Sequence, residues 1–217
     1  MPIAKPVRRK RPGHYHHGDL RRALIDTALR VIEEDGLAAV TTRALARRLG
    51  VSHAAPAHHF RDREALFVEV ATEGFQAFVN ALESAAATAA SDPNARLCAI
   101  GLAYVRFAIE HPAHVRVMFG GGLREGVRWP PALKRESERA YRVLVDTATA
   151  ARASTGAPSG SVQDLAFGGW SLVHGMAMLW IDGPARQTYA TPAQFEAAAA
   201  RLIASMFCCS ERPAAKD

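Results

Sequence analysis

The chain has 217 residues, 49% of them hydrophobic, with 27 Lys/Arg against 21 Asp/Glu. That length suits one larger domain or a small head on a larger body. Cys98, Cys208 and Cys209 are odd in number and lack CxxC spacing. This argues against a disulfide framework and for reduced thiols in a cytosolic protein. The positive charge is uneven. Residues 1–72 hold 13 Lys/Arg against 8 Asp/Glu, and residues 73–217 hold 14 against 13. A basic front on a nearly neutral body is the electrostatic footprint of a polyanion binder.

In chain order, residues 1–18 form a basic arm carrying Arg8, Arg9, Lys10 and Arg11, with too few apolar residues to pack. No apolar run follows the basic start, so no signal peptide is expected. Four charges on a leash should add affinity for DNA, by diffuse attraction or by entry into the minor groove. His14, His16 and His17 have no further ligand at metal spacing before Asp19, so no metal is expected there. Asp19 to Gly36 reads as an amphipathic helix, with Leu20, Leu24, Ala28 or Leu29, and Val31 or Ile32 on one face. Thr41–Phe60 reads as two short helices around a tight turn. Leu45, Ala46, Leu49 and Val51 supply the contact surface, Gly50 the turn, and Ser52 the cap of the second helix. This is the pattern of a helix-turn-helix, whose second helix enters the major groove. A plain helical hairpin is the alternative.

The body reads as helical throughout. One helix runs from Arg63 to about Ala90. A second starts at Asp92-Pro93 and breaks at Pro112, and a short one passes through Val117 and Phe119. After a loop to Pro131, a helix spans Ala132 to about Ala153, and residues 155–160 turn. Ser161 to Asp182 and Thr191 to about Cys208 complete the set, leaving a tail at 210–217. The uncharged run Leu165–Ile181 holds His174 and three glycines, which is marginal for a membrane span and typical of a helix buried on all sides. Such a helix needs a partner over its second apolar face. A homodimer through Leu172, Met176, Leu202 and Met206 is therefore expected.

The helix Asp19–Gly36, Leu45-Ala46, Leu49-Gly-Val-Ser52, His59-Phe60 and Arg63-Glu-Ala-Leu66 together resemble the TetR/AcrR family of regulators over residues 16–70. Pro56 and Ala57 depart from the family pattern, which usually has Leu or Ile, then Tyr, at these places. The proline ring could fill the apolar slot, while Ala57 removes a phosphate-directed hydroxyl. Gly169-Trp-Ser-Leu-Val-His-Gly175 and the stretch from Tyr104 to Pro112 resemble the WHG-type C-terminal domain of one branch of that family. The resemblance implies an all-α protein with a three-helix head (19–66) on a ligand-binding and dimerising body (67–209). It implies that double-stranded operator DNA and a small-molecule effector are its partners. Ser52 would stand at the DNA-binding start of the reading helix, and His53, Ala54 and Ala57 would face base edges. Thr42, Arg43, His58, His59 and Arg63 would fix the phosphate backbone. Candidate effector contacts are Phe75, Phe78, Tyr104, Phe107, Met118, Phe119, Trp170, His174 and Met178, though aromatic stripes at helical spacing also serve as plain core.

No Gly-rich phosphate loop after a strand, no HExxH and no GxSxG occurs in the sequence. No catalytic residue, cofactor or metal is therefore assigned, and no membrane role. The expected function is a cytoplasmic, ligand-responsive, sequence-specific transcriptional regulator, read as a repressor. The alternatives are an effector-independent architectural DNA-binding protein or a helical enzyme. Effector identity, operator sequence, the sign of regulation and the role of Cys208-Cys209 are not encoded in any motif.

Overall fold

A computed structural model describes residues 17–89, 91–121, 123, 129–155 and 161–207. The arm with Arg8, Arg9, Lys10 and Arg11, the residues His14 to His16, Cys208, Cys209 and the 210–217 tail lie outside the described residues, as does most of the expected 155–160 turn. Among the described residues there are eight α-helices and no strand. They are α1 (His17–Asp35), α2 (Thr42–Leu49), α3 (Arg63–Thr88), α4 (Pro93–Glu110), α5 (Pro112–Phe119), α6 (Pro131–Thr155), α7 (Val162–Ile181) and α8 (Pro192–Phe207).

Local chemistry sets most of these boundaries. Each of Thr41, Asp62, Asp92 and Ser161 accepts a backbone N–H of the turn it opens, at 2.7–3.0 Å. Asp164 reaches back to the Ser161 N–H to complete a capping box. Gly50 ends α2 at φ 68°, with its N–H turned to the Ala46 and Arg47 carbonyls.

The second element of the helix-turn-helix corrects the expectation of an α-helix capped by Ser52. It is a 3-10 turn over Ala55–His58, with no side-chain cap. The Ser52 side chain is exposed, and its carbonyl accepts from the Ala55 N–H at 3.0 Å. Pro56 explains the difference. It has no N–H to return to Ser52, so the i to i−4 ladder cannot start there. Its own carbonyl accepts from the His59 and Phe60 amides at 3.0 and 2.9 Å, and its ring is buried, as the apolar-slot reading requires.

One hydrophobic core runs without a break from Leu20 in α1 to Phe207 in α8. At its centre α4 packs on α3, α6, α7 and α8. The front of the molecule joins this core through α3 and through α1 on α5. Arg21–Glu69 at 3.0 Å and Arg22–Glu73 at 2.8 Å fix the register of α1 on α3. Such exposed pairs each add at most about 1 kcal/mol, so they orient more than they stabilise.

Where α3 meets α5, Gly74 has no side chain because nothing fits. A Cβ there would stand 2.7 Å from Met118 Sδ and 3.2 Å from His114 Cδ2. His114 is thus wedged under α3, with the His111 ring 5.7 Å away and Glu73 and Arg22 nearby. Burial, reinforced by His111 and Arg22 against the opposing pull of Glu73, pushes its imidazole down to about 4. A base with a depressed folded pKa keeps its neutral form. The unfolded chain then takes up a proton first as pH falls below about 6.5, and the folded state loses ground down to about pH 4. Between pH 7.5 and 5 this one group should cost about 2 kcal/mol of stability. Urea unfolding at both pH values measures it. His114→Gln should remove most of that slope, and an unchanged slope would assign it to other groups.

Candidate nucleic-acid interface and effector cavity

The helix-turn-helix presents a compact exposed surface. Arg43 and Arg47 stand one turn apart on α2, both exposed and without an ion pair among the described residues. Ser52, His53, Ala54, Ala57 and His58 are exposed on the turn that follows, while Thr42 and His59 are half-buried. Arg48 is committed elsewhere, to Glu34 at 2.5 Å and Asp35 at 2.6 Å. Arg63 is also engaged. It donates to the Leu37 carbonyl at 2.7 Å and lies 4.6 Å over the Phe67 ring, tying α3 to the α1–α2 link. Free cations on this face are therefore Arg43 and Arg47. The sequence reading passed over Arg47, although its i, i+4 spacing from Arg43 places both on one side of a helix.

A cavity of about 460 Å³ lies in the body between α3, α4, α6 and α7. Phe75, Phe78, Tyr104, Met118, Phe119 and Trp170 line it, six of the nine residues picked from the sequence. Phe107 does not: it is buried behind Phe78, ring centroids 5.2 Å apart, and packs on His111. Met178 packs against the core outside the lining. His174 stands behind the wall, where its Nδ1 is 2.9 Å from the Tyr104 hydroxyl and its ring 5.3 Å from that of Phe119. Burial moves the pair in opposite directions, the Tyr104 phenol up and the His174 imidazole down, so both stay uncharged at neutral pH. The far wall comes from Trp129 and from Ser137, Glu138, Tyr141 and Leu144 of α6. The sequence carried a weak signal for it, the Ser137, Tyr141, Leu144 stripe.

The outward faces of α7 and α8 carry large apolar side chains. Phe167 is 68% exposed, Leu179 52%, and Leu202 and Met206 49% each. Leu172 is half-buried beside them, and a Cβ on Gly168 would stand 3.2 Å from Met206 Cε, so the two faces adjoin. Met176, expected on this surface, is turned into its own chain's core at 8% exposure. On a helix apolar all round, only the direction of α4 decides which methionine points outward.

Two family matches identify the chain. Residues 24–70 match the family described as "Bacterial regulatory proteins, tetR family", and residues 97–206 match "Tetracyclin repressor-like, C-terminal domain". The chain belongs to the TetR family. A protein of unknown function from Rhodococcus sp. RHA1 shares 33% identity and superimposes with a TM-score of 0.70, over 89% of this chain and 97% of that one. At 15% identity, AibR in complex with isovaleryl coenzyme A and operator DNA shows the same fold, with a TM-score of 0.67 over 86% of this chain and 97% of its own. The HTH-type transcriptional repressor Rv1474c of Mycobacterium tuberculosis is 41% identical over 58 residues, 27% of this chain and 31% of its own. BetI of Rhizobium meliloti is 48% identical over 48 residues, 22% of this chain and 24% of its own. The chain thus spans under a third of the length of these curated regulators. Among the described residues no helix is long and apolar enough to cross a membrane, and no three His, Cys, Asp or Glu side chains gather into a metal site.

Proposed function

We propose that this TetR-family protein represses transcription in the cytoplasm, binding operator DNA as a homodimer and releasing it when a small molecule fills the cavity. The observation that carries this reading is the path of α3. Its first turn braces the helix-turn-helix through Arg63, and three turns on Phe75 and Phe78 form the cavity wall. A single rigid element therefore touches both candidate sites. AibR, of the same fold, is seen in complex with isovaleryl coenzyme A and operator DNA, which supports pairing a small-molecule site with a DNA site here. An architectural DNA-binding protein would have no use for an apolar cavity of this size; in this reading residues 19–66 carry the DNA-binding role and residues 67–209 the effector and dimer roles, on one continuous core. The arm would add phosphate contacts beside the reading turn.

A gel shift with the chain's own upstream DNA, with and without candidate small molecules, tests the proposal. Failure to select any duplex over random sequence would overturn it. Arg43 should contact a phosphate or a guanine edge. Arg43→Ala should then weaken operator binding by about 1–3 kcal/mol if the contact is to a base. Titrating Arg47→Ala alongside separates the contributions. A matched loss for both on every duplex, with a salt slope lowered by roughly one per residue, marks them as phosphate contacts.

A further inference from the structure

The effector class follows from the cavity's composition, given the reading that the cavity is the effector site. Facing walls present the rings of Phe75, Phe78, Phe119, Trp129, Tyr141 and Trp170. Aromatic faces and edges at this density favour flat, ring-containing partners. Among the described residues the lining contains no Lys or Arg. Its one charged member is Glu138, which lies exposed and already paired with Lys134 at 3.6 Å. A carboxylate or phosphate entering here would lose its hydration without meeting a cation. A cation would gain from the ring faces, but the one carboxylate of the lining, Glu138, is exposed and held by Lys134, so an ammonium would shed its water without a buried counter-charge.

Polarity is concentrated at one place, the Tyr104 hydroxyl with His174 behind it at 2.9 Å. Phenol and imidazole can each donate or accept, because the proton between them has two seats. The pair can therefore answer either a hydroxyl or a carbonyl. A volume of about 460 Å³ holds roughly two to four rings. Trp170 and Tyr141, 37% and 52% exposed, stand where the cavity meets solvent and mark the way in. We infer that the effector is an uncharged aromatic or polycyclic molecule with one hydroxyl or carbonyl group, anchored by a hydrogen bond to the Tyr104–His174 pair.

An isosteric series tests this on the full chain by calorimetry: naphthalene, 2-naphthol, 2-naphthoate and (2-naphthyl)trimethylammonium, with isovaleryl coenzyme A as a polyanionic thioester. The expected order places 2-naphthol first, and both ionic analogues and the thioester at least about tenfold weaker. Tyr104→Phe should weaken 2-naphthol about fivefold, the worth of one neutral hydrogen bond, and leave naphthalene within twofold. His174→Gln, which keeps a polar partner for the phenol, should fall between. Leu144→Trp, which fills the cavity, should abolish binding of all five. If either ionic analogue or the thioester binds as tightly as 2-naphthol, the inference about charge fails while the cavity remains an effector site. If Tyr104→Phe weakens naphthol and naphthalene equally, the anchor is wrong. If nothing binds the wild type, or Leu144→Trp changes nothing, the effector-site reading itself falls.

Discussion

Leu202→Arg is expected to yield a folded monomer that has lost tight operator binding. In the isolated chain Leu202 is half-exposed, so an arginine there stays solvated and should change the melting temperature little. In a two-fold dimer closed through the outer faces of α7 and α8, the same substitution places two guanidinium groups in the apolar seam. Leaving a charge buried and unpaired typically costs 3–5 kcal/mol, so the dimer should weaken by about two to four orders of magnitude. The seam has reason to exist: Phe167, Leu179, Leu202 and Met206 are all large, apolar and exposed over about half of their surface or more, and a patch of that kind marks an interaction surface. Sedimentation of wild type and variant at micromolar concentration, with circular dichroism as a check on folding, decides the matter. A monomeric wild type, or a variant that still dimerises, would remove this surface from the argument. Losing the dimer also separates the two heads, so a near-palindromic site would be held by one half-site at a time.

The second large effect is the coupling between effector and operator. In the proposed dimer, a molecule that favours another tilt of α3 would change the spacing of two heads that a rigid duplex holds fixed. By linkage, operator DNA then weakens the effector by the same factor that the effector weakens operator binding, typically 5–150-fold. Calorimetry of any cavity ligand against free and operator-bound protein measures this directly. Equal affinities would mean that the ligand does not report to the DNA. Phe78→Leu should reduce the coupling while sparing DNA binding without ligand. Phe78 touches Tyr104 and Phe107 of α4, at 4.9 and 5.2 Å between ring centroids, and sits four turns from the reading surface. Near-conserved volume should keep the stability cost below about 1.5 kcal/mol.

What the sequence made legible is largely what is local. The helix starts near Asp62, at Asp92-Pro93 and at Ser161, the left-handed Gly50 and the break at Pro112 each follow from one or two residues, and the helix boundaries fall there. The reading turn was harder, because Ser52 and Pro56 give opposed signals: one invites a helix, the other withholds the N–H that would carry it. Contacts distant in sequence left little trace. Nothing near Tyr104 announces that its hydroxyl meets an imidazole seventy positions later. Phe107 and Phe78 look alike in the sequence, yet one is buried behind the cavity wall and the other forms it. The α7 run shows why periodicity ran out, since an all-apolar helix has no polar stripe to tell its inside from its outside.

The unbroken core has a consequence for anyone wishing to move this DNA specificity onto another regulator. Because α1 rests on α5 and the Arg22–Glu73 pair crosses from α1 to α3, a cut at residue 66 would remove the elements on which the front rests. The Phe67 side chain, 1% exposed, would be lost from beneath Arg63. The first sixty-six residues are therefore not a detachable cassette. A working chimera should splice downstream of α5, carrying Gly74, His114 and Met118 along with the helices they keep in step, and accept whatever cavity comes with them.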